Sequence, residues 1–457
     1  MTTKEIPVAK GLPLIGNIIP LIQNPYQFFV KTYQQLGPLY KVCVPGRVLT
    51  VLGGPEANIF VSQTKVNYFS NRETYADFVK ELGVSLSVEL DGDEHRRYRK
   101  INETFYSQNK AEKYVKPMIQ AILDVSEKWQ LGQRLEVDHL MQQLTCTQVG
   151  LAFLSCKVGD YYKDINTYFD TVMKVAQLRI ASKQELHKRK YITAKNRTFT
   201  FIKTLIEERK KMGILSENPD MLDTLLIMTH DDGQYLTENE IFSFTLSVFF
   251  TVPDTVAKTA SFLLYEILKN PELHEKVIAE VDVAFANGIP DIEDIKNMKV
   301  LRWAAMETLR MYPVGFMLPR YVKHPFDFAG YRVESGQLIY IALGISHFLP
   351  QFYPEPYTFD VERYSPLRQE HKQPGAFAPF SFGEHTCTGA RLGEIQLMLI
   401  VATLLYTVEP EIDPPNYTLK TTVFSKKSVA LTAVDFYIKT RSRNPLVSQS
   451  SLIDLRR

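Results

Sequence analysis

Cysteine is scarce in this chain. Its 457 residues include four, Cys43, Cys146, Cys156 and Cys387. None stands in a paired CxxC spacing, which argues against a disulfide framework and fits a reducing compartment. Net charge is nearly absent too. Lys and Arg number 53 against 51 Asp and Glu, leaving +2, so bulk charge makes no case for a nucleic-acid partner. A long unbroken apolar run is also missing. Gly11-Leu-Pro-Leu-Ile-Gly-Asn-Ile-Ile-Pro20 is interrupted by Pro13, Gly16 and Pro20, and Ile241 to Val252 stops at Pro253. A spanning helix needs about 20 mostly apolar residues, so the expectation is a cytoplasmic protein without a transmembrane anchor. Length alone suggests about three domains. No linker, repeat or low-complexity stretch divides the sequence, so one domain over 1–457 is expected, with 1–10 and 442–457 as loose termini.

What is present is mostly helical, with a little β. Leu39 to Val44 and Arg47 to Leu52 read as strands joined at the turn pair Pro45-Gly46. Gly53-Gly54-Pro55 then opens a helix, with Pro55 in its first turn. From about Gly92 to Arg310 the periodicity is helical. Thr237-Glu-Asn-Glu240 is a capping box at one helix start. Leu301 to Met311 forms another helix, ending before Pro313. Short strands are expected at Arg320 to Val333 and Gln337 to Ala342. Gln351 to Leu367 reads as irregular, and Thr418 to Phe436 as a hairpin.

One stretch carries most of the chemistry: Phe380-Ser-Phe-Gly-Glu-His-Thr-Cys-Thr-Gly389. Cys387 lies ahead of the apolar helix containing Leu397 to Leu405. The positive end of a helix dipole biases such a cysteine toward thiolate. Gly383 and Gly389 carry no Cβ, so the backbone there can approach something large and flat. A lone thiolate is a poor zinc site but a good axial ligand for haem iron. Phe380, Gly383, Cys387 and Gly389 fit F-x-x-G-x-x-x-C-x-G. The loop resembles the haem-binding loop of the cytochrome P-450 family, and the likeness runs from about Gly11 to about Val434. It implies the P-450 fold, mainly α with a small β part. It also implies haem b as cofactor and Cys387 as the iron ligand.

Other positions acquire roles through the same resemblance. His95 and Arg99 are four apart, on one helix face, where the family binds haem propionates. Arg320 matches a strand arginine with that task, and His385 stands where the family often has arginine. Glu307 and Arg310 resemble the E-x-x-R pair, which takes a second arginine from a later segment; in Val361-Glu-Arg-Tyr364 that is Arg363. Thr251-Val-Pro-Asp-Thr255 resembles the acid–alcohol site A/G-G-x-D/E-T, making Asp254 and Thr255 the proton-delivery pair. Val252 replaces the glycine. Pro253 lacks an N–H, so the Phe249 carbonyl loses its helical partner and a kink is expected. By place in the fold, Phe249, Phe250, Thr251, Val314 and Phe316 are the candidate substrate-facing residues, with the loop Phe78 to Val88 nearby.

The implied activity is insertion of one oxygen atom from O2 into a lipophilic small molecule such as a fatty acid, terpenoid or steroid-like compound. No flavin or Fe–S motif is present, so electrons come from a ferredoxin or flavodoxin with its reductase. Arg96, Arg97 and Lys100 lie off the His95/Arg99 face as a candidate docking patch. Two rivals stand beside this reading. One is an enzyme of the same fold that uses or rearranges peroxides without a redox partner. The other is a non-catalytic haem sensor or carrier.

Overall fold

The computed structural model describes residues 4–63, 68–107, 110–177, 180–213, 219–422 and 431–441. Two compact units emerge. The first comprises Met1–Ala76, Ser87–Lys100 and Met306–Thr388, and the second Asp77–Leu86, Ile101–Ala305 and Gly389–Arg457.

The first unit is built on a five-stranded sheet. Its spatial order is Leu39–Val44, Arg47–Gly53, Leu338–Ala342, Leu318–Val322 and Phe69–Ser70. The expected hairpin forms in full register, from Leu39 opposite Leu52 to Val44 opposite Arg47. Thr50 pairs in parallel with Ile339, and Arg320 lies antiparallel to the same residue. Successive side chains point to opposite faces of a strand. Tyr40, Val42 and Val51 therefore join one buried cluster, with Phe316, Ile345 and Phe348, while Leu39 and Leu52 join another, with Val322 and Phe326. Both sheet faces are covered, so these strands are apolar on both sides. The helix Gly54–Gln63 follows, as Pro55 required. Gln351 to Leu367 is turns and one short 3-10 segment, Val361–Tyr364, as expected.

The second unit is helical. Ala111–Ser126, Val137–Leu154, Pro253–Lys269 and Ala390–Val408 pack side by side, and Met118, Ile122, Leu144, Leu263, Ile400 and Leu404 on them are buried. A buried amide pair ties two of them: Gln396 Nε2 donates to Gln148 Oε1 at 3.1 Å. Tyr161–Val172 packs against the long helix Arg189–Met212, and a π-helical turn, Met173–Gln177, extends the former. Lys420–Thr422 pairs with Thr432–Val434, as the expected hairpin requires; its intervening residues 423–430 lie outside the described set, as do 442–457. Glu238–Lys269 and Ala390–Val408 are long and apolar enough to cross a membrane, yet 67% and 72% of their apolar windows are buried. Burial of that extent is what core helices show.

The kink at Pro253 is a full break. One helix runs Glu238–Thr251, opened by the Thr237/Glu240 capping box, and the next runs Pro253–Lys269. Val252 separates them. Thr145 Oγ1 donates to the Pro253 carbonyl at 3.1 Å, fixing the break against a neighbouring helix.

Candidate haem-thiolate site

The cysteine loop is tied to itself and to its neighbours. The Cys387 N–H donates to Phe380 O at 3.0 Å, and the Thr386 N–H to Gly383 O at 3.1 Å. Gly383 has φ +75, and a Cβ there would stand 2.9 Å from Val61 O, so only glycine fits without a shift. Gly389 caps the helix Ala390–Val408. Cys387 lies two residues ahead of that cap and is exposed, ready to meet a ligand. Arg99 Nη1 donates to the carbonyls of Glu384 and Thr386, each at 2.8 Å. In this structure Arg99 braces the cysteine loop, a task the sequence did not suggest.

His95, Arg99, Arg320 and His385 converge in the first unit. The His95 and His385 rings lie 4.0 Å apart. His385 Nδ1 is 2.9 Å from Asn71 Nδ2, an amide donor, which leaves Nε2 to carry the ring proton. Burial pushes His385 down to about 3, and His95, Arg320 and Arg99 push the same way. Burial lowers His95 too, against the opposing pull of Glu384 3.4 Å away. Arg320 is buried, and among the described residues its hydrogen bond is to the Pro319 carbonyl at 2.8 Å. A buried guanidinium without a facing carboxylate, beside a second arginine and two imidazoles, is an anion-seeking arrangement. The Glu384 carboxylate contacts His95 within this group. These donors fit the two carboxylates of a haem, and the exposed Cys387 fits its iron.

Behind the loop, Glu307, Arg310 and Arg363 meet in a fully buried network. Arg310 grips Glu307 with two bonds of 2.7 and 2.8 Å. Arg363 Nε reaches Glu307 Oε1 at 3.2 Å. The sequence missed three members. Tyr364 OH donates to Glu307 Oε2 at 3.1 Å, and Glu370 accepts from Arg363 at 2.8 Å. Buried His347 takes the Ala378 N–H on Nε2 at 2.9 Å and donates from Nδ1 to Arg310 O at 3.1 Å. It thereby couples the network to the backbone two residues before Phe380. Nothing in the local sequence marks His347, because its partners lie 31 and 37 positions away.

In the second unit the acid and the alcohol part company. Asp254 is buried, whereas Thr255 is exposed and its hydroxyl donates back to Thr251 O and Val252 O, each at 3.2 Å. Adjacent helical positions point about 100° apart, so a buried acid and an exposed alcohol follow from the geometry. Lys258, fully buried, lies 3.8 Å from Asp254 Oδ1 and pairs closely with Asp138. This cluster was legible in part: Asp254 and Lys258 are four apart on one face. Asp170 joins it electrostatically. Burial, with the Asp254 carboxylate second, pushes Asp170 up to about 8.

The expected substrate-facing residues are divided between the two units, with Phe249, Phe250 and Thr251 in the second and Val314 and Phe316 in the first. Phe316 stacks on Tyr26 with centroids 4.6 Å apart, inside the first unit's core. Phe250 packs edge-on against Tyr168 at 5.0 Å, and Phe249 against Phe201 at 6.0 Å. All three are buried. Thr251 is exposed and Val314 half-buried. The Arg96 guanidinium, part of the candidate docking patch, pairs with Asp93 and lies 3.9 Å from Glu384.

The family described as Cytochrome P-450 matches residues 6–439. The chain belongs to that family, whose members are haem-dependent monooxygenases, and it is an oxidoreductase of this class. Among its relatives, taxane 10-beta-hydroxylase from Taxus cuspidata is 27% identical over 412 residues, covering 87% of this chain and 82% of that protein. Cyclooctat-9-en-7-ol 5-monooxygenase from Streptomyces melanosporofaciens is 26% identical over 412 residues, covering 86% and 87%. The crystal structure of the cytochrome P450DA haem domain aligns with a TM-score of 0.85 at 20% identity, covering 97% of this chain and 99% of that one. The fold is therefore that of a P-450 haem domain.

Proposed function

We propose that this protein is a haem b thiolate monooxygenase. Its substrate is a lipophilic small molecule of terpenoid, steroid-like or fatty-acid type, and its electrons come from a separate ferredoxin or flavodoxin with its reductase. The cysteine loop carries the reading: an exposed Cys387 in a braced turn, beside the cationic or imidazole side chains of His95, Arg99, Arg320 and His385. Cys387 Sγ would hold the iron, and His95, Arg99, Arg320 and His385 the haem carboxylates. When bound, the group supplies activation of O2 and oxygen insertion, which a cysteinate ligand promotes by electron donation. The protein's own tasks are binding, orientation and proton handling. Arg99 sets the loop carbonyls, and His347 with the Glu307 network holds the chain leading into the loop. The Asp254 carboxylate takes and passes a proton, with the Lys258 ammonium balancing its charge. Asp170 keeps its own proton at neutral pH and serves as a local store. Relatives named for a taxane, a cyclooctatenol and a sterol support the substrate class.

The test is spectral first. The reduced CO complex is expected to show the red-shifted Soret band of thiolate-ligated haem. Cys387→Ser should lose it, while Cys43→Ser and Cys156→Ser keep it. An intact thiolate band in Cys387→Ser sinks the assignment. Terpenoid, sterol and fatty-acid panels read by Soret shift then test the substrate class. Product formed with peroxide, but none with O2 and an electron donor, would favour the peroxide-using rival.

A further inference from the structure

His385 stands where the family often has arginine, and a histidine there has a choice that an arginine lacks. Each nitrogen of a neutral imidazole is either a donor or an acceptor, and the partner of one sets the role of the other. A guanidinium only donates. A histidine at this place therefore needs a neighbour that makes the choice, and Asn71 is that neighbour.

Asn71 is 2% exposed and lies 314 positions from His385 in the chain. Its amide can face in one sense only. Nδ2 is 3.0 Å from the Val88 carbonyl oxygen, which accepts and cannot donate, so the NH2 end of the amide points there. The same Nδ2 is 2.9 Å from His385 Nδ1. One hydrogen goes to Val88 O and the other to the ring. Nδ1 is then the acceptor of His385, and Nε2 is its donor. Among the described residues Nε2 has no hydrogen-bond partner of its own.

Asn71 is itself held in place. Its N–H donates to Asp91 Oδ1 at 2.9 Å, while Ser70 Oγ and the Arg72 N–H donate to Asp91 Oδ2 at 2.7 and 3.2 Å. Asp91 immediately precedes the helix Gly92–Tyr106, which carries His95 and Arg99. The His95 ring lies 4.0 Å from that of His385. One carboxylate thus ties the segment bearing Asn71 to the start of the helix bearing two of the other haem-directed side chains.

We propose that Asn71 is the positioning residue for His385, fixing the ring so that the Nε2–H is the donor offered to a haem carboxylate. An arginine at that place would need no such partner. The inference rests on the haem-thiolate reading above and is independent of the substrate.

Haem transfer from the loaded protein to excess apomyoglobin tests it. Asn71→Leu should speed the transfer roughly fivefold, as the loss of one hydrogen bond implies. Asn71→Ser should act in the same direction and serves where the larger side chain disturbs packing. In both variants the resonance Raman bands of the haem carboxylates should shift, while the thiolate Soret band of the reduced CO complex persists, since Cys387 is untouched. The deciding background is His385→Ala. With the ring gone, adding Asn71→Leu or Asn71→Ser should change the transfer rate by less than about twofold. A purely structural Asn71, acting through Val88 O, would speed haem loss equally in both backgrounds, and that result overturns the proposal. Wild-type transfer rates and carboxylate bands in both Asn71 variants overturn it as well. In either case a normal thiolate band in wild type leaves the haem-thiolate reading standing. A wild type that takes up no haem overturns that reading, and this proposal with it.

Discussion

Glu307 shows at the residue scale why an ordinary-looking pair can matter. On a helix surface, a Glu and an Arg three apart contribute only about 0.2–0.5 kcal/mol. Here both are fully buried, and Glu307 also receives Arg363, Tyr364 and the Asp360 N–H. Its removal leaves two guanidinium groups in a low-dielectric interior without their shared anion. Glu307→Ala should therefore lose about 3–5 kcal/mol of stability and yield little haem-loaded protein. Thermal melting and the haem-to-protein absorbance ratio measure both effects. Wild-type values in that variant would show that Arg310 and Arg363 are satisfied by their carbonyl partners alone.

The broken helix is the informative element. Pro253 ends one helix and starts the next, and its carbonyl is held by Thr145. Asp254 is thereby fixed inward toward Lys258, while Thr255 stays outside and bonds to its own helix. Thr255→Ala removes one hydroxyl from an exposed position, so stability should change by no more than about 0.5 kcal/mol. If Thr255 shares the proton step with Asp254, the product formed per NAD(P)H consumed should fall while substrate binding persists. Loss of a proton-transfer group costs about 10²–10⁴-fold in rate. A coupling ratio equal to wild type would assign the proton to Asp254 alone. A shift in substrate-induced Soret change would instead place Thr255 among the binding residues.

Acid stability belongs to the whole molecule. His347 is fully buried and held down to about 3 by burial, with the Arg310 guanidinium adding to the effect. An unfolded chain returns that histidine to its ordinary value near 6.5. The native state then binds fewer protons than the unfolded state between those values. The stability from neutral His347 is complete above about pH 6.5 and is lost as pH falls toward about 3. The slope is about 1.4 kcal/mol per pH unit for one histidine, and His385 adds in the same direction. Urea midpoints should therefore drop steadily between about pH 6.5 and 5. His347→Gln, which retains an acceptor and a donor, should flatten that slope. An unchanged slope would assign the acid sensitivity to other groups.

Local rules made much of this protein legible before any coordinates. The hairpin Leu39–Gly53, the capping box at Thr237 and the glycine-bounded cysteine loop depend on turn residues, caps and backbone freedom, which lie within a few positions of each other. The grouping of His95, Arg99, Arg320 and His385, and of Glu307 with Arg310 and Arg363, came from resemblance; spacing alone does not join residues so distant in sequence. Only the tertiary structure showed which rings pack together, because Phe249, Phe250 and Phe316 meet Phe201, Tyr168 and Tyr26 from distant stretches of the chain. It alone revealed His347, whose partners are a distant carbonyl and a distant N–H, and the Asp138–Lys258 pair, which joins two helices 120 residues apart. It also decided that the apolar run Gly11 to Pro20 lies partly open to solvent. Sequence fixes what a side chain prefers, but burial depends on the volume left by the rest of the chain, and that is settled only when the elements pack.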